Sequence, residues 1–311
     1  MKFSLVFPGQ GSQTPGMMKA YGESVLVRDT FAEASAALGR DLWQLVSEGP
    51  AEAMNQTVNT QPLMLTAGVA AYRLWLSRGG PQPAIVAGHS LGEYSALVAA
   101  GAIEFADAVP LVELRARAMQ EAVPAGTGAM AAILGLDAAT VRGICTEVAQ
   151  GQIVEAVNLN APEQTVIAGH TAAVQRAADA CKARGAKRAL LLPVSAPFHC
   201  SLMLPAAEKL RARLATLNIV APKIPLLNNV DVASPQDPVA IKDALVRQAA
   251  APVRWVETMQ AMAAQGVTHV YECGPGKVLA GLVKRCADGV IGVALADAAS
   301  VDAAIQTLQS S

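Results

Sequence analysis

The chain has 311 residues, enough to bury a stable core, and its 52% hydrophobic and 16% charged content is typical of a densely packed α/β enzyme. A formal net charge of -1 without any sustained basic run argues against nucleic acid as a partner. No stretch approaches the roughly 18 apolar residues of a membrane span, and the N-terminal apolar run is too short for a secretion signal, so we expect a cytoplasmic protein.

The pattern in the first part of the chain predicts alternating strands and helices. Continuous apolar runs and helical patterns predict strands at residues 3–7 and 84–88 and helices at residues 91–100 and 107–122. The first strand ends at Pro8 and Gly9, which begin a loop. Proline is tolerated only in the first turn of a helix, so Pro110 places the start of its helix near Asp107.

A shorter rhythm follows in the middle of the chain. The predicted elements are a strand at 129–134, a helix at 137–149, strands at 153–157 and 165–168, a helix at 171–183 and a strand at 189–192. This βαββαβ order is that of the split ferredoxin-like unit. The α/β rhythm then returns, with strands near 225–227, 268–272 and 289–293.

These patterns predict an α/β fold in two parts. A large α/β-hydrolase-like domain with a mostly parallel sheet is predicted from residues 1–125 and 194–311. A small ferredoxin-like βαββαβ domain is predicted as an insertion at residues 126–193.

The five cysteines are odd in number and include no C-x-x-C pair, which argues against both disulfides and zinc.

Residues 88–92 read Gly-His-Ser-Leu-Gly and match the G-x-S-x-G nucleophile elbow. The pentapeptide alone is a weak signal, but here it follows a predicted strand and opens a predicted helix, as the elbow requires. The glycines allow a sharp turn that exposes the serine hydroxyl. Because a serine hydroxyl is a poor nucleophile at neutral pH, Ser90 needs a base within hydrogen-bond reach.

The chain offers four histidines for that role. His89 lies inside the elbow and is predicted to point away from the serine. His170 and His269 flank predicted strands and are interpreted as surface or packing residues. His199, in a loop between a strand and a helix, is the predicted base. No acidic third member stands out in a loop, so a dyad is favoured over a triad.

Several segments together resemble the malonyl-CoA:acyl carrier protein transacylase family of fatty acid synthesis, with its acyltransferase-domain relatives in polyketide synthases. They are residues 7–13 (Phe-Pro-Gly-Gln-Gly-Ser-Gln), residues 88–94, Arg115, residues 158–160, Phe198 with His199, Gln248 and residues 272–277. The segments stand in the family order and cover nearly the whole chain.

The resemblance implies a role for each matched position. The backbone N–H groups of Gln10 and Leu91 would form an oxyanion hole. Arg115 would pair with the free carboxylate of a malonyl group through two parallel hydrogen bonds. The backbone carbonyl of Gln248 would accept the N–H of His199 in place of a carboxylate, so replacing the Gln248 side chain is expected to have little effect.

Two further positions are candidates for contact with the substrate. In the related polyketide enzymes a phenylalanine at the position of Phe198 accompanies malonyl, whereas serine accompanies methylmalonyl, because a bulky ring leaves little room for a branch. Asn160 is a candidate for packing or hydrogen bonding in the active site, and a purely structural role is an equal alternative.

The expected activity is a ping-pong malonyl transfer from malonyl-CoA to the phosphopantetheine thiol of acyl carrier protein, through a malonyl-Ser90 ester. No metal or cofactor is expected, and a monomer suffices. The alternatives are a discrete acyltransferase serving a polyketide synthase, a serine thioesterase or esterase, and a non-catalytic module. Because such carrier proteins are acidic, two basic clusters are candidate docking sites: Lys182, Arg184, Lys187 and Arg188, and Lys284 with Arg285.

Overall fold

Two β-sheets organise residues 1–22 and 24–310, the part of the chain that the computed structural model describes. The strands are β1 (Phe3–Phe7), β2 (Ile85–Gly88), β3 (Gly128–Leu134), β4 (Val154–Ala161), β5 (Gln164–His170), β6 (Arg188–Leu191), β7 (Leu226–Leu227), β8 (His269–Cys273) and β9 (Ile291–Leu295). The predicted α/β class is confirmed.

The large sheet has the strand order β7-β2-β1-β8-β9, and every neighbouring pair in it is parallel. Strand β1 lies at its centre and is buried along its whole length, as its unbroken apolar run predicts. The last strand starts two residues later than predicted because Gly289 adopts a left-handed φ of 74° and still belongs to the turn. The carboxyl ends of β1, β2 and β7 open towards one side, where ligands of open α/β sheets bind.

Helices surround the two sheets. They are α1 (Val25–Leu38), α2 (Leu42–Glu48), α3 (Ala51–Met54), α4 (Thr57–Ser77), α5 (Gly92–Ala99), α6 (Phe105–Glu121), α7 (Ala138–Val148), α8 (Thr171–Ala183), α9 (Leu204–Ala215), α10 (Pro238–Gln248), α11 (Trp255–Ala264), α12 (Val278–Cys286) and α13 (Ala298–Gln309). Within the described residues, no helix combines the length and the apolar character needed to cross a membrane.

Helix α6 begins at Phe105, so the predicted start near Asp107 is wrong by two residues. Pro110 is therefore the sixth helical residue and lies beyond the first turn, where its missing N–H leaves the Ala106 carbonyl without a helical partner. Of the two added residues, Phe105 is buried in the core. We infer that this apolar burial outweighs the single lost hydrogen bond.

The small sheet has the strand order β4-β5-β3-β6, all antiparallel, which is the order expected of a ferredoxin-like βαββαβ unit. Strand β4 runs to Ala161, four residues beyond its predicted end. Polar Asn158 and Asn160 interrupt the apolar pattern, but the pairing with β5 continues to Ala161 through two register shifts. Backbone hydrogen bonds of 2.8 and 3.0 Å join β4 to Val253. The small sheet is thereby fastened beside the carboxyl edge of the large one.

Candidate active site

Ser90 stands at the tip of the sharp turn between β2 and α5. Its φ of 53° lies in the left-handed region, which non-glycine residues rarely occupy. A Cβ on Gly88 would collide with the backbone of Gly92, so the two glycines allow strand and helix to approach. The Ser90 N–H donates to the side-chain oxygen of Asn229 at 2.8 Å, which holds the strained turn in place.

His199 reaches this turn from the loop before α9. Its Nε2 lies 2.6 Å from Ser90 Oγ, and its Nδ1 lies 2.9 Å from the Gln248 carbonyl oxygen. A carbonyl can only accept, so Nδ1 carries the hydrogen and Nε2 presents its lone pair to the serine. Burial, and after it the charge of Arg115, lowers the pKa of His199 to about 3. The imidazole is therefore neutral at neutral pH and can accept a proton.

The Gln248 carbonyl is free to accept this bond for a local reason. Gln248 is the last residue of α10, and four residues further on stands Pro252, which has no N–H to offer a helical hydrogen bond. The position of the proline thus leaves the carbonyl available to His199.

Arg115 extends from α6 into the same buried space. Its Nη2 donates to Ser90 Oγ at 3.1 Å and to Gln248 Oε1 at 3.0 Å, and its Nη1 donates to Gln61 Oε1 at 2.8 Å. Burial lowers the pKa of the guanidinium, but a group with so high an ordinary pKa stays charged. No carboxylate within the described ranges forms an ion pair with it. A buried cation beside the serine is suited to an anionic substrate group.

The hydrogen bonds of the Gln248 side chain argue against the expectation that replacing it has little effect. Its Nε2 donates to the Ser90 carbonyl at 2.9 Å and to Glu93 Oε2 at 3.0 Å, while its Oε1 accepts from Arg115. The side chain is completely buried. Its loss would remove one hydrogen bond from each of three buried groups, at a cost of about 0.5 to 3 kcal/mol per bond.

The loop after β1 packs directly on the elbow. A Cβ added to Gly9 would lie only 2.5 Å from the His89 carbonyl oxygen and 3.8 Å from Leu91 N. In the chain as described, the N–H groups of Gln10 and Leu91 donate to no protein acceptor. The Gln10 side chain is held by a hydrogen bond from Thr57. The two free donors therefore belong to adjoining backbone segments beside Ser90.

The remaining predicted residues lie around this centre. His89 Nε2 is 2.8 Å from Asn160 Oδ1, and its ring packs on Trp255, so it points away from the serine as predicted. Asn160 consequently contacts the elbow. Phe198 is buried in the apolar core next to His199. His170 accepts from the Ile153 N–H at 3.0 Å, which is a packing role.

Sequence reasoning missed two residues of this network. Asn229 holds Ser90 from the loop after β7, and Glu93 is buried in the first turn of α5. Burial raises the pKa of Glu93 to about 7. Asn229 could have been noticed because it follows a buried strand at the carboxyl edge of the sheet. Glu93 could have been noticed as a charged residue in an otherwise apolar helix.

The fold and the site define an α/β acyltransferase: a serine on a nucleophile elbow, a neutral histidine and a buried cation at the carboxyl edge of a parallel sheet. The chain belongs to the acyl transferase domain family, whose model matches residues 4–305.

The similar proteins carry a narrower name. The malonyl CoA-acyl carrier protein transacylase of Escherichia coli (strain K12) is 59% identical over 98% of this chain and 99% of its own length. The crystal structure of the acyl-carrier-protein S-malonyltransferase of Burkholderia pseudomallei 1710b is 61% identical, with a TM-score of 0.97 over 98% of this chain and 100% of that one. A malonyl-transacylase solved in complex with its type II polyketide acyl carrier protein is 54% identical, with a TM-score of 0.97 over 99% and 100% of the two chains.

Proposed function

We propose that the protein transfers the malonyl group of malonyl-CoA to the phosphopantetheine thiol of acyl carrier protein, through an ester on Ser90, and so supplies extender units for fatty acid synthesis. The observation that carries the proposal is the position of Arg115. Its guanidinium is buried, lacks a carboxylate partner in the described part of the chain, and lies 3.1 Å from Ser90 Oγ. An acyl group with a free carboxylate fits this arrangement.

The first half-reaction acylates the serine. His199 Nε2 takes the proton of the Ser90 hydroxyl as its oxygen attacks the thioester carbonyl carbon. The N–H groups of Gln10 and Leu91 hold the resulting oxyanion, and each such donor typically contributes about 2.7 to 4 kcal/mol. The carbon–sulfur bond then breaks, and coenzyme A leaves with the proton from the imidazolium. The malonyl group stays esterified to Ser90.

The second half-reaction runs the same steps in reverse. The phosphopantetheine thiol gives its proton to His199, its sulfur attacks the ester carbonyl, and the Ser90 oxygen leaves and recovers the proton. Arg115 holds the malonyl carboxylate throughout. The cycle requires no metal or resident cofactor, because His199 carries every proton.

The partner of His199 suits this chemistry. The Gln248 carbonyl fixes the imidazole tautomer as a carboxylate would, but it is neutral and stabilises the imidazolium less. A thiol is a better leaving group than an amine, so exchange between two thiols needs a less basic dyad than amide cleavage does. The low pKa of His199 agrees with that requirement.

The choice of a linear malonyl group rests on Phe198. Its ring is buried directly before His199 in the chain, and we propose that it leaves little room for a branch on the α-carbon. We therefore expect methylmalonyl-CoA to be a poorer donor than malonyl-CoA.

The acyl carrier protein would dock on basic residues of the surface. Of the first predicted cluster, Arg184 forms an ion pair with Glu147 and Lys187 pairs with Glu163 at 3.5 Å, which reduces their net charge. Of the second, Arg285 donates to the Gln164 side chain at 2.6 Å. Both clusters stay candidates. The enzyme would act as a monomer in the cytoplasm, where its five buried thiols remain reduced.

Mass spectrometry after incubation with malonyl-CoA alone tests the function. We expect one malonyl adduct on Ser90, no adduct on Ser90→Ala, and an unchanged adduct on Ser95→Ala, a buried serine of the following helix α5 used as the control. Acetyl-CoA should give little adduct. Rapid release of malonate without carrier protein would instead indicate a hydrolase.

The acceptor separates the proposed pathway from its alternative. The malonylated enzyme is mixed with equal amounts of two acyl carrier proteins, one from fatty acid synthesis and one from polyketide synthesis. We expect faster malonyl transfer to the fatty acid carrier. Preference for the polyketide carrier would assign the enzyme to a polyketide synthase.

A further inference from the structure

Glu93 accepts hydrogen bonds from Asn229, which holds Ser90, and from Gln248, which holds His199. We propose that Glu93 is a positioning residue, which acts through Asn229 and Gln248 to hold Ser90 and His199 at reacting distance. The proposal rests on the acyl transfer proposed above and adds a residue that never touches the acyl group.

The first connection runs through Asn229. Its backbone N–H donates to Glu93 Oε2 at 2.8 Å. Its side chain then spans the elbow, accepting from the Ser90 N–H at 2.8 Å and donating to the Gly88 carbonyl at 2.7 Å. These bonds keep Ser90 in its strained left-handed conformation. Glu93 thus fixes the residue that clamps the elbow from both sides.

The second connection runs through Gln248. Its Nε2 donates to the same Glu93 oxygen at 3.0 Å and to the Ser90 carbonyl at 2.9 Å. The backbone carbonyl of this residue orients His199, and its side-chain oxygen accepts from Arg115. Glu93 Oε2 therefore fixes Gln248, which contacts Ser90, His199 and Arg115.

The ionised state of Glu93 matters for this arrangement. A carboxylate can only accept hydrogen bonds, so it obliges the Gln248 amide to turn its NH₂ towards Glu93 and its oxygen towards Arg115. A protonated Glu93 could donate instead and would permit the opposite orientation. The positive charge of the buried Arg115 opposes formation of the imidazolium on His199, and the negative charge of Glu93 offsets part of this effect.

The surroundings place the titration of Glu93 near neutral pH. It lines a cavity of about 10 Å³, walled mainly by apolar side chains that include Leu97, Leu226 and Ile241. Burial raises the pKa of Glu93, and Asp231 raises it further. Arg115 and the two hydrogen bonds lower it, and the result is about 7. Burial raises the pKa of the adjacent Tyr94 to about 12, so this residue stays neutral in the same pH range.

The test is the pH profile of Ser90 malonylation, followed in rapid-mixing experiments on the wild type and on Glu93→Gln. In the wild type the rate should fall as the pH drops below about 7, where Glu93 takes up a proton. His199 cannot produce this limb, because its pKa lies near 3. In Glu93→Gln the maximal rate should fall on the order of 10- to 100-fold, the KM for malonyl-CoA should change less than about threefold, and the limb should vanish.

Glu272→Gln is the matched control. Glu272 is also completely buried with a raised pKa, but it binds the N-terminus of α12 and lies outside the site. This variant should keep the wild-type rate and pH profile. A Glu93→Gln enzyme that is folded and fully active, or that retains the same acidic limb, would overturn the proposal. Failure of the wild type itself to form the Ser90 adduct would instead refute the proposed function.

Discussion

Arg115 and Ser90 share a hydrogen bond in the free protein, and the proposed reaction exchanges part of this contact for the malonyl carboxylate. A guanidinium can bind a carboxylate through two parallel hydrogen bonds, whereas an ammonium is a point charge with no such fork. The selectivity for malonyl over acetyl should therefore depend on the shape of the cation as well as on its charge.

Arg115→Lys tests this dependence. We expect kcat/KM for malonyl-CoA to fall on the order of 10- to 100-fold, while the slow reaction with acetyl-CoA changes less than about threefold. The ratio of the two rates, measured with labelled donors, is the diagnostic quantity. Arg117→Lys on the exposed side of the same helix should leave the ratio unchanged. An equal loss with both donors would argue against a contact between Arg115 and the carboxylate.

Ser90 and His199 share an unusual backbone conformation, with φ values of 53° and 67°. Such conformations cost on the order of 1 to 3 kcal/mol each and persist only where neighbouring contacts fix them. The strain at Ser90 could be predicted from the sequence, because the flanking glycines and the strand-to-helix context mark an elbow. The strain at His199 could not, because no local pattern marks it and its partner Gln248, at the end of α10, is distant in the chain.

Helix α5 illustrates how a whole element depends on one small residue. Gly92, its first residue, lies against the backbone of β1, and a Cβ there would fall far inside contact distance of the Phe7 carbonyl. Gly143, inside α7, faces open space and has an ordinary helical environment. The two glycines should therefore respond to the same substitution in opposite ways.

Urea unfolding of Gly92→Ala and Gly143→Ala measures this difference. The first should lose about 2 to 5 kcal/mol of the free energy of unfolding, because backbone atoms must move to relieve the overlap. The second should gain about 0.5 to 1 kcal/mol, because alanine restricts the unfolded chain and favours the helix. Equal effects at both positions would show that the close approach of α5 to β1 does not limit stability.

Two buried groups with opposite pKa shifts contribute to the pH dependence of the stability of the whole molecule. The pKa of His199 falls from an ordinary 6.5 to about 3, so unfolding takes up a proton there below pH 6.5, and this contribution to stability is lost as the pH falls. The pKa of Glu93 rises from an ordinary 4.5 to about 7, so unfolding releases a proton there, and stability is lost as the pH rises through this range. Between the two ordinary values the effects oppose each other.

Removing either group should reveal the effect of the other on the pH dependence of stability. Relative to the wild type, Glu93→Gln should lose stability as the pH drops from about 6.5 to 4.5, by up to about 1.4 kcal/mol per pH unit. His199→Gln should show the reverse trend over the same range. Denaturant unfolding at several pH values measures the free energy of unfolding of each variant. If this free energy changed with pH in the same way in both variants and the wild type, the opposite pKa shifts of Glu93 and His199 would be excluded.

Local sequence patterns are sufficient to predict three features: the buried strand β1, the glycine-flanked elbow at Ser90, and the βαββαβ order of the small sheet. These follow from apolar runs, turn residues and periodicity, which act between near neighbours. The start of α6 differs from the local prediction because burial of Phe105 in the core outweighs the cost of Pro110 beyond the first turn.

The contacts that hold the site together depend on tertiary packing. Glu93, Asn229 and Gln248 stand far apart in the sequence, and no local pattern shows that two of them donate to one carboxylate oxygen of the third. Their partners are chosen by how the sheet and helices pack, because each buried polar group must find whatever complementary group the fold brings within reach. The sequence could therefore indicate the residues that react, whereas the folded chain alone selects those that position them.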